Sequence, residues 1–502
     1  MSEESFIQVV LPLRLEWMPF YRCNVDVQRG SRVLVRFAGR NYVGLVYRTG
    51  VRPDVDESKV LPVSETRTGL EPVGAEEIEF WEFLSSYYMC SLGEVYKAAY
   101  PAGKIKAEQS RARKKGESGE APARPVQPFR KPRPGKPLLL VGGGRLPFYE
   151  NECREALDKG LNVLVLTPEI AAGAHLETLL SEAFPGLVSS VSSHLTPAGR
   201  RRIAENVRSS GGHIVVGTRS SLFLPFSRLG LIIIENEQDP LFKQTEPAPR
   251  YHARDAAVML GRIHGAKVIL GSPAPSLESC YNAQRGKYQL QQTGAALPEM
   301  TLIDISAERR KNGMIGRLSR KLLEAAAQCE GPVALIRGWE KADELVAEVA
   351  LALPGRRVDI LTVYEALSSG LQPYSLVAVL QADALMSADD FRADERAVQS
   401  IAMLREQCSG RFIVQTAKSE HPVFSNYDGI YPKLLEERKA FHLPPYTRLV
   451  DEYYGSKLER YSFSPDASLP GRKLSLLGRA REFERKTGGR VHVIFDVDPI
   501  KL

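Results

Sequence analysis

The chain has 502 residues, 43% hydrophobic and 25% charged, with a formal net charge of +7, which suggests about three domains of ordinary soluble composition. No apolar run approaches the roughly 18 residues that span a bilayer, and the opening MSEESFIQVVLPLRLEW has neither a basic start nor a small-residue cleavage site, so a cytoplasmic protein with no membrane partner is expected. Cys23, Cys90, Cys153, Cys280, Cys329 and Cys408 stand singly with no CxxC pair, so neither a disulfide framework nor a zinc site is expected.

Residues 1–103 begin with short alternating runs, SFIQVVLPLRL and RVLVRFAGRNYVGLVYRTG, which read as strands turning at Gly30 and Gly39. EEIEFWEFLSSYYMCSLGEVYKAAYP follows with apolar residues every three or four positions, a helical spacing stopped by Pro101. Arg36, Arg40, Tyr42 and Arg48 fall on the strands and a turn; they suit either a DNA-facing surface or a solvated sheet face. Residues 104–136 are rich in Lys, Arg, Pro, Gly and Ser, a composition that cannot bury a core and reads as a flexible basic linker.

From 137 the pattern becomes strand–helix–strand. LLLVGGG, NVLVLTPE, HIVVGT, LGLIIIENE and AKVILGSP are apolar on both faces, as buried parallel strands require. A second set, MTLIDIS, GPVALIRG, RVDILTV, LVAVLQAD and RFIVQT, predicts a second α/β lobe. The expected domains are 1–103, the linker 104–136, a first lobe at 137–295, a second at 296–425 and a reduced C-terminal α+β domain at 426–502.

Gly142, Gly143 and Gly144 lie between a strand and a helix, a geometry that can cradle phosphate on backbone N–H groups. A working loop also needs a Lys for the outer phosphates and a hydroxyl for Mg²⁺; Arg145 and Leu146 stand there instead. A plain tight turn explains the glycines equally well.

The most specific segment is VVGTRSSLFLPFSRLGLIIIENEQDPLFKQTEPAPRYHARDAAV. It resembles the helicase core of the PriA family of replication-restart proteins, with its GTRS segment, acidic DEEH box and KQ…RYHARD aromatic-rich loop. Thr167–Ile170 matches that family's VPEI box, and GSPAPSLES its GSATPSLE box except that Pro273 and Ala274 replace Ala and Thr. WEFLSSYYMCSLGEVYKAAYPAG resembles the end of its 3'-DNA-end-binding domain, Gln381–Gln399 its second lobe, and Glu436–Val450 with Asp496–Pro499 its C-terminal domain. The resemblance implies two RecA-like helicase lobes behind a DNA-binding domain. It also implies DNA contact through Thr218, Arg219, Ser220, Lys243, Gln244, Arg250, Tyr251, His252 and Arg254, the alternative being that Tyr251 and His252 pack and bridge within the lobe.

The departures fall on the chemistry. The family's GxTGSGKT reads Val141 to Leu146, with Gly142–Gly144 and Arg145 as the degenerate nucleotide-binding residues. Its DEEH box reads Glu235, Asn236, Glu237, Gln238. Glu235 and Glu237 are the only candidate catalytic acids left to hold Mg²⁺ or polarise water. Where the family has QVAGRAGR this chain has Met403 to Cys408. The family's paired zinc sites are missing near Gly338 and Trp339, and its winged-helix insertion is reduced to the basic linker.

The expected function is therefore binding of forked, single-stranded or 3'-ended DNA in replication restart, without ATPase activity and with no required ATP, Mg²⁺ or zinc. Primosome or single-strand-binding proteins are candidate partners. The rivals are an active ATP-dependent 3'-5' helicase with unusual motifs, and a decaying gene copy.

Overall fold

The computed structural model describes residues 5–66, 68–101, 131–192, 195–368, 374–387 and 390–500; the linker expected at 104–136 lies outside the described residues as far as 130. Four short strands come first, β1 (Ser5–Val10), β2 (Phe20–Cys23), β3 (Arg32–Phe37) and β4 (Arg40–Thr49). They pair antiparallel in the order β2-β1-β4-β3. Ala38 (φ 46) and Gly39 (φ 79) close the β3–β4 hairpin, both left-handed as a two-residue turn of matching twist demands. The alternation read from the sequence buries Ile7, Val9, Val33, Val35 and Val46 together.

Two helices follow, α1 (Ala75–Tyr87) and α2 (Leu92–Ala99). The Ser91-x-x-Glu94 spacing sets the start of α2: Glu94 N donates to Ser91 Oγ at 3.2 Å, and Ser91 N to Glu94 Oε2 at 2.9 Å, a reciprocal capping box. Ile78, Phe80, Trp81 and Leu84 of α1 are buried in a core that continues into the first lobe.

That lobe runs β5 (Leu138–Val141), α3 (Leu146–Asp158), β6 (Asn162–Leu166), α4 (Ile170–Ala183), β7 (Val188–Val191), α5 (Pro197–Ser209), β8 (Ile214–Gly217), β9 (Leu229–Glu235), α6 (Ala253–His264), β10 (Lys267–Ser272), α7 (Leu277–Gln284) and β11 (Gln289–Gln292). All seven strands are parallel, in the order β11-β5-β10-β9-β6-β8-β7. Strand period two divides the side chains between two cores. Leu139, Leu164, Val215, Ile232 and Leu270 face the N-terminal helices, while Leu138, Leu140, Val163, Ile233 and Ile269 face α3 and α4.

The second lobe runs β12 (Met300–Asp304), α8 (Ile305–Lys311), a small hairpin of β13 (Met314–Ile315) and β14 (Leu318–Ser319), α9 (Arg320–Gln328), β15 (Val333–Ile336), α10 (Ala342–Ala352), β16 (Val358–Leu361), α11 (Val363–Ser368), β17 (Tyr374–Val379), α12 (Ala393–Glu406) and β18 (Cys408–Thr416). Its sheet is parallel, in the order β12-β18-β17-β15-β16. From β15 the chain moves outward to β16 and then returns to β17 on the opposite side, so the order reverses between β15 and β17.

The remaining elements are α13 (Pro422–Ser425), α14 (Ile430–Ala440), β19 (Arg448–Tyr454), β20 (Lys457–Phe463), α15 (Leu469–Lys486) and β21 (Val493–Val497). The last three strands form an antiparallel sheet, β20-β19-β21. One separate C-terminal unit from 426 does not describe their packing. Ile430, Leu434 and Leu435 of α14 complete the second lobe's core, whereas Val450, Leu476, Phe495 and Val497 join the core shared by α1, α2 and the first lobe.

Candidate functional site

Gly142 (φ 114) and Gly144 (φ 62) turn the chain from β5 into α3. The chain after β11 lies against this turn, where Gly143 forms an antiparallel bridge with Ala295. A Cβ on Gly142 would sit 2.3 Å from Thr293 Oγ1, one on Gly143 2.9 Å from Leu297 Cδ2, and one on Gly144 2.9 Å from Ala295 Cβ. Close packing by residues 293–297 thus accounts for all three glycines.

Arg145 turns back into this corner with 5% of its side chain exposed. Its Nε and Nη2 grip Glu235 at 3.1 and 2.5 Å. Its Nη1 and Nη2 grip Glu406, at the end of α12 in the other lobe, at 2.7 and 3.1 Å. Nη1 also donates to Gly142 O at 2.5 Å, so the planar fork has an acceptor for each donor. Tyr149 Oη donates to Glu235 Oε2 at 2.5 Å. Burial opposes the charge on Arg145, but the two carboxylates outweigh it and hold the guanidinium firmly protonated. Burial raises the Glu406 carboxyl above its ordinary value against the pull of Arg145, and Glu235 adds to the rise. This corner does not fit a nucleotide with Mg²⁺: its one cation is committed to two carboxylates, Leu146 offers no oxygen, and protein covers the glycines.

Glu237, expected as a degenerate catalytic acid, is fully buried. It accepts from Ser276 N at 2.7 Å, Ser276 Oγ at 3.0 Å, Ser279 Oγ at 2.9 Å and Arg254 Nη1 at 3.1 Å. That reading is corrected: Glu237 ties the serines of GSPAPSLES to α6 and is enclosed by protein donors. Between the two acids, Asn236 adopts φ 55, a left-handed turn.

The KQ…RYHARD segment requires a second correction. Lys243 is 3% exposed, its Nζ bonded to Asp496 at 2.7 Å, Val497 O at 2.6 Å and Arg250 O at 2.7 Å. Tyr251 is 1% exposed, with its hydroxyl on Arg219 O at 3.0 Å and its ring edge-on to Phe223. Arg254 is committed to Glu237 and Asp255. His252 N donates to Tyr88 Oη at 3.1 Å, and burial followed by the Arg254 charge pushes its imidazole down to about 3. Gln244 Nε2 bonds Pro247 O and Pro249 O. Arg250 reaches Glu246 at 3.1 Å and lies over the Tyr453 ring. The segment braces the first lobe against α1 and the C-terminal strands, and the Lys243 ammonium and Tyr251 hydroxyl are spent on protein partners.

The other predicted contacts lie nearer the surface. Thr218 and Arg219 are half-buried and Ser220 is exposed at the carboxyl end of β8, with Arg219 Nη1 on Leu241 O at 2.8 Å. Arg36 and Arg40 are exposed, and Tyr42 packs partly against the N-terminal core. Arg36 lines a cavity of about 720 Å³ with Trp17, Phe37, Arg48 and Lys59. Trp17 is 59% exposed, its ring 6.0 Å from that of Phe37. Sequence reasoning missed Trp17 and Phe37; the available signal was a lone tryptophan in a loop that has no apolar period to place it in a core.

Residues 8–101 match the family model of a 3'DNA-binding domain (3'BD). The fold and this match define the class, a protein of two parallel-sheet lobes carrying an N-terminal 3'DNA-binding domain. The chain is 31% identical over 312 residues to the replication restart protein PriA of Rickettsia prowazekii, 59% of this chain and 47% of that protein. It is 38% identical over 194 residues to PriA of Chlamydia pneumoniae, 38% of this chain and 26% of that protein. RecG bound to a three-way DNA junction aligns at 14% identity with a TM-score of 0.42, covering 85% of this chain and 62% of that one. The chain is similar to these PriA proteins and spans about half of their length, or less.

Proposed function

We propose that this chain binds forked, single-stranded or 3'-ended DNA in replication restart and does so without ATP, Mg²⁺ or zinc. The observation that carries the nucleotide-independent part is Arg145, whose guanidinium satisfies Glu235 and Glu406 together. In a phosphoryl-transfer site the acid would help hold Mg²⁺ and the second lobe would supply an arginine to the transition state. Here the arginine comes from the first lobe and an acid from the second, so the arginine is spent on the protein's own carboxylates. The DNA-binding part is supported by the match of residues 8–101 to a 3'DNA-binding domain and by the cavity there, where Trp17 and Phe37 line the wall with Arg36, Arg48 and Lys59, an arrangement suited to a stacked terminal base with charged neighbours. Partner proteins of the restart machinery belong to the same proposal.

The test is anisotropy titration of a fork with a free 3' end, blunt duplex and single strand, each with and without Mg-ATP, alongside phosphate release. Tighter binding of the 3'-ended fork, unchanged by Mg-ATP and without turnover, is expected. DNA-stimulated phosphate release abolished by Arg145→Ala would establish the helicase reading instead.

A further inference from the structure

Two lobes of one chain ordinarily move relative to each other unless the interface between them is extensive and apolar, and closure around a ligand uses that freedom. The seam here is built against it. The turn after β10 and the start of α7 carry Ala274 and Leu277, both buried in one apolar cluster with Ala334, Ile336, Val398 and Ile401 of the second lobe. Ala274 stands where the box it resembles has Thr, so a methyl group and not a hydroxyl enters that core. Tyr281, one turn further along α7, packs against the same cluster, its ring edge-on to that of Tyr446 at 4.8 Å.

Polar bonds surround this apolar plug, and each crosses from one lobe to the other. Pro275 O accepts from Tyr431 Oη at 2.7 Å and from Gln399 Nε2 at 3.4 Å. Leu277 N, a first-turn donor of α7 with no partner inside its own helix, donates to Glu395 Oε1 at 2.9 Å. Glu278 Oε1 accepts from Arg392 Nη2 at 2.6 Å. Arg438 of α14 holds Glu395 in place from behind, Nη2 to Oε2 at 2.8 Å, and both side chains are buried. The space left among these groups and Arg448 is about 60 Å³, room for about two waters. At its other end α12 is gripped by Arg145 through Glu406. The helix is therefore tied to the first lobe at its first turn, its middle and its last residue.

We propose that the two lobes are locked: α12 is fastened to the first lobe along its length, and the pair keeps this one arrangement with or without Mg-nucleotide, as a fixed platform. Opening the seam would expose Leu277, strip Leu277 N of Glu395 and leave Glu278 without Arg392, a cost that a partly opened state has nothing to offset. The inference rests on the nucleotide-independent reading above and adds to it that the lobes do not move.

The experiment places one spin label on each lobe of the full chain, at the exposed positions Lys159 and Lys341, through a ketone-bearing amino acid that leaves the native cysteines untouched. Pulsed dipolar spectroscopy then reads the distance distribution with and without forked DNA and a non-hydrolysable Mg-nucleotide, alongside phosphate release with Mg-ATP. One narrow distribution that nucleotide does not move is expected in the wild-type chain, and a broadened one in Arg392→Ala, with Arg392→Gln measured in the same way should the alanine variant fail to fold. A wild-type distribution that is broad, or that shifts on adding Mg-nucleotide, would overturn the lock. If no phosphate is released and the fork binds equally well, the lock alone falls and the nucleotide-independent reading stands; if DNA-stimulated phosphate release accompanies the shift, both fall. A folded Arg392 variant as narrow as wild type would show that these groups do not hold the seam, and would also overturn the proposal.

Discussion

Arg145 is where a single side chain decides the character of a site. One guanidinium between two carboxylates leaves the cluster with excess negative charge, and removing the guanidinium would leave both acids buried without a counter-ion. Breaking such a pair from one side costs about 3–5 kcal/mol. Glu235 and Glu406 keep 19% and 18% of their side chains exposed, which places Arg145→Ala toward the lower end of that range, about 3 kcal/mol. Arg145→Lys should recover only part, because a point charge cannot serve two carboxylates bidentately. Urea unfolding of the two variants and of Arg145→Ala/Glu406→Gln measures it. A double variant no more stable than Arg145→Ala would show that Glu406 is not a partner. The sequence displayed the absence of a lysine at 145 and of the glycine–arginine pattern at 403–408. It could not display that these two departures meet, since 261 residues separate Arg145 from Glu406 and only the folded lobes bring them together.

The segment from Pro240 into α6 shows why a motif can be legible and its role misread. Its mixture of rings and cations has the composition of a nucleic-acid loop, and the strands and helices on either side follow the apolar periods of the sequence. Burial depends on what covers the loop, however, and the covering groups come from distant chain: Tyr88 from after α1, Asp496 and Val497 from β21. The two lobes' parallel sheets were readable because their strands are apolar on both faces, a local property. As a brace, the segment should fail through stability. Arg254→Ala leaves Glu237 buried and unpaired and is expected to cost about 3–5 kcal/mol; Arg254→Met/Glu237→Gln should cost less than the sum of its singles, as coupled neighbours do. Below its melting range Arg254→Ala should bind DNA almost as tightly as wild type. A large affinity loss in a fully folded Arg254→Ala protein would return this arginine to the DNA interface.

Across the whole molecule, α1 and α2, the first lobe and the C-terminal strands share one core, and two histidines sit at the seam between the N-terminal helices and that lobe. Burial first and the Arg254 charge second hold His252 down at about 3. Burial holds His264 down at about 4, with Glu76 of α1 pulling the other way and Lys131 assisting. An unfolded histidine takes its proton near 6.5. Between about 6.5 and these depressed values the unfolded chain therefore binds more protons than the native one, and each histidine's contribution to stability falls as pH falls. Asp239 opposes this, since burial lifts its carboxyl to about 6 and favours the native state as acid is added, so total stability is the wrong readout. The difference between chains isolates the histidine. His264→Gln keeps a polar side chain of similar reach but cannot titrate, so its stability relative to wild type should rise steadily from pH 7 to pH 4 and level off below. Urea unfolding at half-unit pH intervals measures the difference. The N-terminal helices and the first lobe should lose stability in one transition, because a proton taken up at their seam loosens a core that belongs to both. A His264→Gln difference that stays flat across this range would mean that the seam opens to water before the histidine titrates, and that the N-terminal domain and the first lobe unfold as separate bodies.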